Sequence, residues 1–319
     1  MTRRRLATFL GACLGAALLA GALAACSPLT LVNAVSPAGA ARATAAIRYA
    51  AGERHMLDVY TPSARSDAAA GGAKPVIVFF YGGNWVSGKR EDYAFVGRAL
   101  AARGFVVVIP DYRLYPQVRY PDFLVDAAQA VAWTERSIAQ YGGDPQRVYL
   151  MGHSAGAYNA AMLALDGRWL GREGIHPDSL RGWIGLAGPY DFLPIENRTT
   201  RPVFDYPDTP PDSQPASHVS RAAPPALLIA PRHDDTVDPV RNTGGLAARL
   251  RAAGVPVTEA YYDGVGHATL VASLSNSLRR LAPTLDAVTA FIRRDRAGGS
   301  AAAKVSDGGN GRRTADPDR

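Results

Sequence analysis

Apolar runs of five or six residues recur through the middle of the chain, separated by polar or glycine-rich turns and by stretches with helical spacing. Pro75-Val76-Ile77-Val78-Phe79-Phe80 and Phe105-Val106-Val107-Val108-Ile109 show no polar alternation. Such runs predict strands buried on both faces. Arg147-Val148-Tyr149-Leu150-Met151, Trp183-Ile184-Gly185-Leu186-Ala187, Ala226-Leu227-Leu228-Ile229-Ala230 and Val257-Thr258-Glu259-Ala260-Tyr261-Tyr262 predict four more. Between them, Leu124, Ala127, Ala128, Val131 and Ile138 mark one face of a helix, and 158–165 is a helix-forming run. Alternating strand and helix predicts an α/β fold: a mostly parallel central sheet with helices on both faces. Ligands of such sheets bind at the carboxyl ends of the strands.

This pattern bounds one domain at 47–296, within a chain of 319 residues. Segment 189–225 breaks the alternation. It is proline-rich, carries Tyr190, Phe192, Phe204 and Tyr206, and reads either as a surface connection or as a short lid-like insertion. Residues 1–25 begin with Arg3, Arg4 and Arg5 and continue as an almost unbroken apolar stretch, a targeting segment. Leu23-Ala24-Ala25-Cys26 resembles the bacterial lipoprotein box, which implies a signal peptide cleaved before a lipidated Cys26. Ser27, rather than Asp, then leans toward the outer membrane, with the protein lipid-anchored and facing the periplasm. Secretion and inner-membrane anchoring are the alternatives. Residues 26–46 read as a flexible tether and 297–319 as a disordered tail.

Composition adds exclusions. At 47% hydrophobic residues the chain can bury a sizeable core. The net charge of +7 includes the three N-terminal arginines, and no basic block is interleaved with aromatics, so no nucleic acid partner is expected. Cys13 and Cys26 are the only cysteines. Cys13 leaves with the signal, so an internal disulfide or a cysteine-based metal site is not expected.

The chemistry gathers at three strand ends. Gly152-His153-Ser154-Ala155-Gly156 fits G-x-S-x-G, between a predicted strand and a predicted helix. A serine on such a tight turn is pushed out at the sheet edge and makes a candidate nucleophile. It needs a base, an orienting acid and an oxyanion hole. Tyr81-Gly82-Gly83-Asn84-Trp85 follows a buried strand, so Gly82, Gly83 and Asn84 can present backbone N–H groups to a substrate oxygen, with the Ala155 N–H opposite. Trp85 is placed to wall the pocket. His267 follows a late strand in Asp263-Gly264-Val265-Gly266-His267 and is the candidate base. His55, His176 and His218 read as surface residues, His153 diverges from the serine beside it, and His233 lies too near the acid. The acid falls in the loop 231–239, where Asp234, Asp235 and Asp238 compete. Asp238, before Pro239, reads as a turn or cap residue.

Serine, acid, histidine is the chain order of the α/β-hydrolase fold. The chain resembles the carboxylesterase branch of that superfamily, in particular the prenylcysteine methylesterase, kynurenine formamidase and hormone-sensitive-lipase-like group. The resemblance covers about residues 47–296 and rests on Asp111-Tyr112-Arg113-Leu114-Tyr115-Pro116, Tyr141-Gly142-Gly143-Asp144-Pro145 and Gly152–Gly156. Tyr81-Gly82-Gly83 stands where the family carries His-Gly-Gly, and the tyrosine puts the orientation of that loop at issue. The resemblance implies a serine carboxylesterase acting on a small-molecule ester through an acyl-enzyme, with no cofactor and no metal. An amidase or formamidase using the same residues is the alternative enzyme. A non-catalytic, hydrolase-fold interaction lipoprotein is the alternative outside catalysis. The family pattern Gly-x-x-Asp-x-x-Val, with Pro231 in the glycine position, selects Asp234, and counting back from Pro239 selects the alternative acid Asp235.

Overall fold

All six apolar runs become strands, and two further strands precede them. In chain order these are β1 (Ala41–Arg48), β2 (Met56–Pro62), β3 (Lys74–Phe80), β4 (Val106–Pro110), β5 (Gly143–His153), β6 (Gly182–Leu186), β7 (Ala226–Pro231) and β8 (Val257–Tyr262). They come from a computed structural model that describes residues 32–34, 36, 41–63 and 72–294. The strands form one sheet in the order β1-β2-β4-β3-β5-β6-β7-β8. From β4 to β8 every pairing is parallel, while β1 and β2 are antiparallel additions at one edge. The expected α/β-hydrolase architecture is borne out.

The central strands β3 and β4 are buried along almost their whole length, which is why their sequences lack alternation. Helices α1 (Ala94–Ala101), α2 (Asp122–Ser137), α3 (Ala155–Leu165), α4 (Gly167–Gly171), α5 (Gly245–Ala252) and α6 (His267–Ala272) connect or flank the strands. Helix α2 buries Leu124, Ala127, Ala128 and Val131 as its spacing predicts, while the fifth expected residue, Ile138, is buried just past its end in a 3-10 turn. Helix α3 is buried at every residue, because the sheet covers one side and the 189–225 segment closes over the other.

That segment folds into short 3-10 turns at Arg201–Phe204, Pro211–Ser213 and Pro215–His218. Tyr190, Val203 and Phe204 are buried in the core, so they hold the segment down as a wall. The Tyr158 hydroxyl donates to the Ser213 carbonyl at 2.7 Å, and the Tyr120 N–H donates to the Val203 carbonyl at 2.9 Å.

Two expectations need correction. The tether does not extend to residue 46, because Ala41–Arg48 is an edge strand paired with β2. Its side chains are mostly exposed, so backbone hydrogen bonds hold it rather than an apolar face. His55 is not a surface residue. It is buried, with Nε2 at 3.1 Å from Asp126 Oδ1 and Nδ1 against the Ala51 carbonyl. His218 is half-buried, bonding the Asp212 carbonyl at 2.6 Å. Residues 1–25, Cys26, most of the expected tether and the tail 297–319 lie outside the described residues. Among the described residues, no helix is long and apolar enough to cross a membrane.

Candidate active site

Ser154 stands at the junction of β5 and α3 with φ 55 and ψ −124, a conformation that L side chains rarely adopt. The Ser154 N–H donates to the Leu186 carbonyl at 2.9 Å, which ties the turn to β6. Close approach explains the two flanking glycines. A Cβ at Gly152 would lie 2.1 Å from the Gly156 oxygen, and one at Gly156 would lie 2.1 Å from the Phe80 oxygen. Neither neighbour is a side chain that can swing away. Gly156→Ala is therefore expected to cost about 1–3 kcal/mol or more, read as a lower midpoint in urea unfolding.

His267 opens α6, just past β8, and reaches back across the sheet edge. Its Nε2 lies 2.8 Å from Ser154 Oγ and its Nδ1 2.8 Å from Asp234 Oδ2. Of the three aspartates in the 231–239 loop, Asp234 is the one that meets His267. The Asp234 carboxylate is fully buried, while Asp235 is exposed. Asp234 Oδ1 also accepts the N–H groups of Thr236 (2.8 Å) and Val237 (3.1 Å). Burial pushes the Asp234 pKa up. The hydrogen bond and charge of His267, together with those two N–H groups, outweigh it, so the carboxyl stays below its ordinary range. Asp238 caps the next turn through the N–H groups of Val240 and Arg241, as its place before Pro239 predicts. His233 is exposed and His176 lies on the surface.

The other expected residues surround the serine. Asn84, Trp85, Ser154 and Ala155 line a pocket of about 240 Å³, whose far wall includes Phe192 and Ile195 from the 189–225 segment. Gly82 lies against Ser154: a Cβ there would sit 2.9 Å from the serine Cβ. Gly83, Asn84 and Trp85 all have positive φ, at 132, 52 and 58. Ala155 is the first residue of α3, where backbone N–H groups lack partners within the helix. Trp85 walls the pocket with little of its surface. It is 2% exposed, and its ring packs on Phe123, Tyr158 and Phe204.

Tyr81, where the family carries histidine, anchors the loop rather than disturbing it. Its hydroxyl donates to Asp111 Oδ1 at 2.9 Å and accepts from Arg54 Nη2 at 2.7 Å, and its ring stacks on Tyr112 with centroids 4.7 Å apart. Asp111 also receives the Arg90 guanidinium and the Arg90 N–H. The Asp111-Tyr112 motif thus braces the strand end from which the glycine loop springs.

Two contributors escaped the sequence. His153 diverges from Ser154 as expected, yet it is buried, and its Nε2 donates to the His267 carbonyl at 2.9 Å. The residue before the serine thereby pins the loop that carries His267. Asn242 accepts the N–H groups of Tyr190 (2.7 Å) and Asp191 (2.9 Å) on its Oδ1, and so holds the start of the pocket wall. Its only sequence signal is a polar residue near the start of an amphipathic helix. Among the described residues, no group of three or more His, Cys, Asp or Glu side chains is arranged to hold a metal ion.

Burial, with the adjacent His267 charge, pushes the His153 pKa down from 6.5 to about 3. The folded value lies below the unfolded one, so the unfolded chain binds the extra proton between those limits. Stability is therefore undiminished above pH 6.5 and falls as pH drops toward 3, by about 1.4 kcal/mol per pH unit. His153→Asn should lose about 2 kcal/mol less than the wild type between pH 7 and pH 5, measured by urea unfolding at both. Equal losses would exclude His153 as a source of acid sensitivity.

The BD-FAE family profile matches residues 57–250. The chain belongs to the BD-FAE family. The matched range of this BD-FAE member runs from β2 to α5, which takes in Ser154 and Asp234 and stops short of His267. A probable isoprenylcysteine alpha-carbonyl methylesterase of Oryza sativa subsp. japonica is 40% identical over 146 residues, covering 44% of this chain and 33% of the relative. Esterase LipC of Mycobacterium tuberculosis is 32% identical over 200 residues, covering 56% of this chain and 48% of that protein. The BD-FAE chain thus spans a third to a half of the length of these relatives. Esterase B from Lactobacillus Rhamnosis shares the fold, with a TM-score of 0.72 at 18% identity over 92% of this chain and 98% of that one.

Proposed function

We propose that this BD-FAE protein is a serine carboxylesterase that works through an acyl-enzyme. The observation that carries the reading is the continuous relay of two 2.8 Å hydrogen bonds, Asp234 to His267 to Ser154, which ends on the serine that lines the pocket. The names of the relatives, esterase and methylesterase, point the same way.

The geometry suits the following sequence. The Asp234 carboxylate accepts a hydrogen bond from His267 Nδ1–H, which holds the proton on Nδ1 and leaves Nε2 as the base facing Ser154 Oγ. The Ser154 Oγ forms a bond to the ester carbonyl carbon while its proton passes to Nε2. Charge moves to the carbonyl oxygen, where the N–H groups of Gly83, Asn84 and Ala155 receive it, each worth about 2.7–4 kcal/mol of barrier. The C–O bond to the alcohol then breaks, and the alcohol leaves with the Nε2 proton. Water repeats the cycle in place of serine and frees the acid.

Fluorophosphonate labelling followed by peptide mass spectrometry tests the nucleophile, with modification expected at Ser154 alone. Absence of label on folded protein would overturn the reading in favour of a non-catalytic interaction protein. A panel of p-nitrophenyl esters and aryl amides should show ester turnover well above amide turnover. The reverse order would make it an amidase.

We further propose that Cys26 is lipidated and anchors the enzyme to a bacterial envelope membrane facing the periplasm, a reading supported by Leu23-Ala24-Ala25-Cys26. Cys26→Ser should move the protein from the membrane to the soluble fraction with its esterase activity unchanged. An unmodified Cys26 in the mature wild-type protein would overturn this.

A further inference from the structure

Gly83, Asn84 and Trp85 follow one another at positive φ, and two of them carry side chains. Such a run does not hold itself, because side chains disfavour the left-handed region. Something outside the loop must fix it, and the contacts converge on Trp85. Its carbonyl accepts the Tyr115 N–H at 2.8 Å. Its ring fills the aromatic cluster of Phe123, Tyr158 and Phe204. Its one polar atom, Nε1, donates to Asn159 Oδ1 at 3.0 Å. Asn159 is completely buried, five residues after Ser154 on α3, in a helix otherwise made of glycine, alanine, leucine, methionine and one tyrosine. A lone amide in such a helix is costly, and the hydrogen bond that Asn159 makes here is to the indole N–H, which can only donate, while its buried Nδ2 has no partner.

Helix α3 begins at Ala155, so the same rigid element carries the Ala155 N–H at its start and the acceptor for Trp85 one turn further on. We propose that Asn159 is a positioning residue for the oxyanion hole. Through Trp85 it locks the Gly83 and Asn84 N–H groups to the helix that carries the Ala155 N–H, so both sides of the hole keep one geometry. This rests on the esterase reading. Asn159 touches neither the relay nor the proposed reacting atoms. Its loss should weaken transition-state stabilisation while leaving the resting substrate complex largely intact.

The test is a double-mutant cycle on the full chain. Trp85→Phe removes the donor and keeps a ring, and Asn159→Leu removes the acceptor at similar volume. Each single variant is expected to lower kcat roughly 10- to 100-fold with KM within about threefold, because a displaced oxyanion donor acts on the chemical step. The double variant should be no slower than the worse single one, since both remove one interaction. Asn159→Asp keeps an oxygen acceptor and should recover most of the turnover. Affinity for a trifluoromethyl ketone that mimics the tetrahedral adduct should fall in step with kcat/KM. Additive losses, a loss confined to KM, or an Asn159→Asp no better than Asn159→Leu would overturn the proposal. If Asn159→Leu does not fold, Trp85→Phe and Asn159→Asp still decide it, by the kcat against KM split and by rescue. An inactive, unlabelled wild-type protein would instead mark failure of the esterase reading itself. An active wild type whose variants keep their kcat removes only the role of Asn159.

Discussion

Ser154→Ala should lower ester turnover on the order of 10⁶-fold and leave the melting temperature unchanged or slightly higher. The size follows from what one atom does in the proposed mechanism. Ser154 Oγ is the group that His267 Nε2 faces, so its removal abolishes the acyl-enzyme rather than slowing it. What remains is the oxyanion hole and the pocket acting on a water molecule. Stability should survive because alanine keeps the small size that the turn requires. The check is single-turnover kinetics with p-nitrophenyl acetate beside a thermal melt. A variant that retained burst kinetics would sink the nucleophile assignment. A variant that failed to fold would show Ser154 to be structural first.

Asp234→Asn should cost on the order of 10⁴ in turnover, and Asp235→Asn almost nothing. The two residues are adjacent, so the contrast isolates position from composition. Only Asp234 is buried against His267 Nδ1. An asparagine there can turn its NH₂ toward the ring, which favours the tautomer with Nε2 protonated and removes the base. Asp234 has a second effect on stability. Its folded pKa lies below its ordinary value, so it stabilises the fold at neutral pH, and that contribution is lost as pH falls through the folded value. Asp234→Asn should therefore flatten part of the acid limb of unfolding as well as turnover. Collapse of turnover in Asp235→Asn, with Asp234→Asn near normal, would reverse the assignment. Collapse in neither would remove this loop from the relay.

Where the chain repeats a one-dimensional rule, the sequence was readable. The runs at 75–80 and 105–109 became central strands because both faces are buried, and burial on both faces leaves an unbroken apolar word. Ser154, Asp234 and His267 were legible because each follows a strand, and parallel strands bring their carboxyl ends to one edge. Spacing left the acid open, since counting from Pro231 points to Asp234 and counting back from Pro239 points to Asp235, and only the folded loop shows which carboxylate meets His267. Contacts between residues distant in the chain were not readable. His55 meets Asp126 and Trp85 meets Asn159 across 71 and 74 positions, and no local pattern encodes either pair. β1 was missed for a different reason. An edge strand held by backbone pairing needs no apolar face, so Arg42, Thr44 and its alanines carry no strand signature.

Six non-glycine residues have positive φ among the described residues, and Asn84, Trp85 and Ser154 are three of them. A protein engineer seeking durability would begin with such positions, since relieving each one is worth about 1 kcal/mol. Here that route runs into the proposed nucleophile and oxyanion loop. Heat resistance gained at Asn84, Trp85 or Ser154 would be paid for in turnover, so a hardier variant has to be built elsewhere. Ala187, at φ 49 on the β6 side of the serine, is the first place to look.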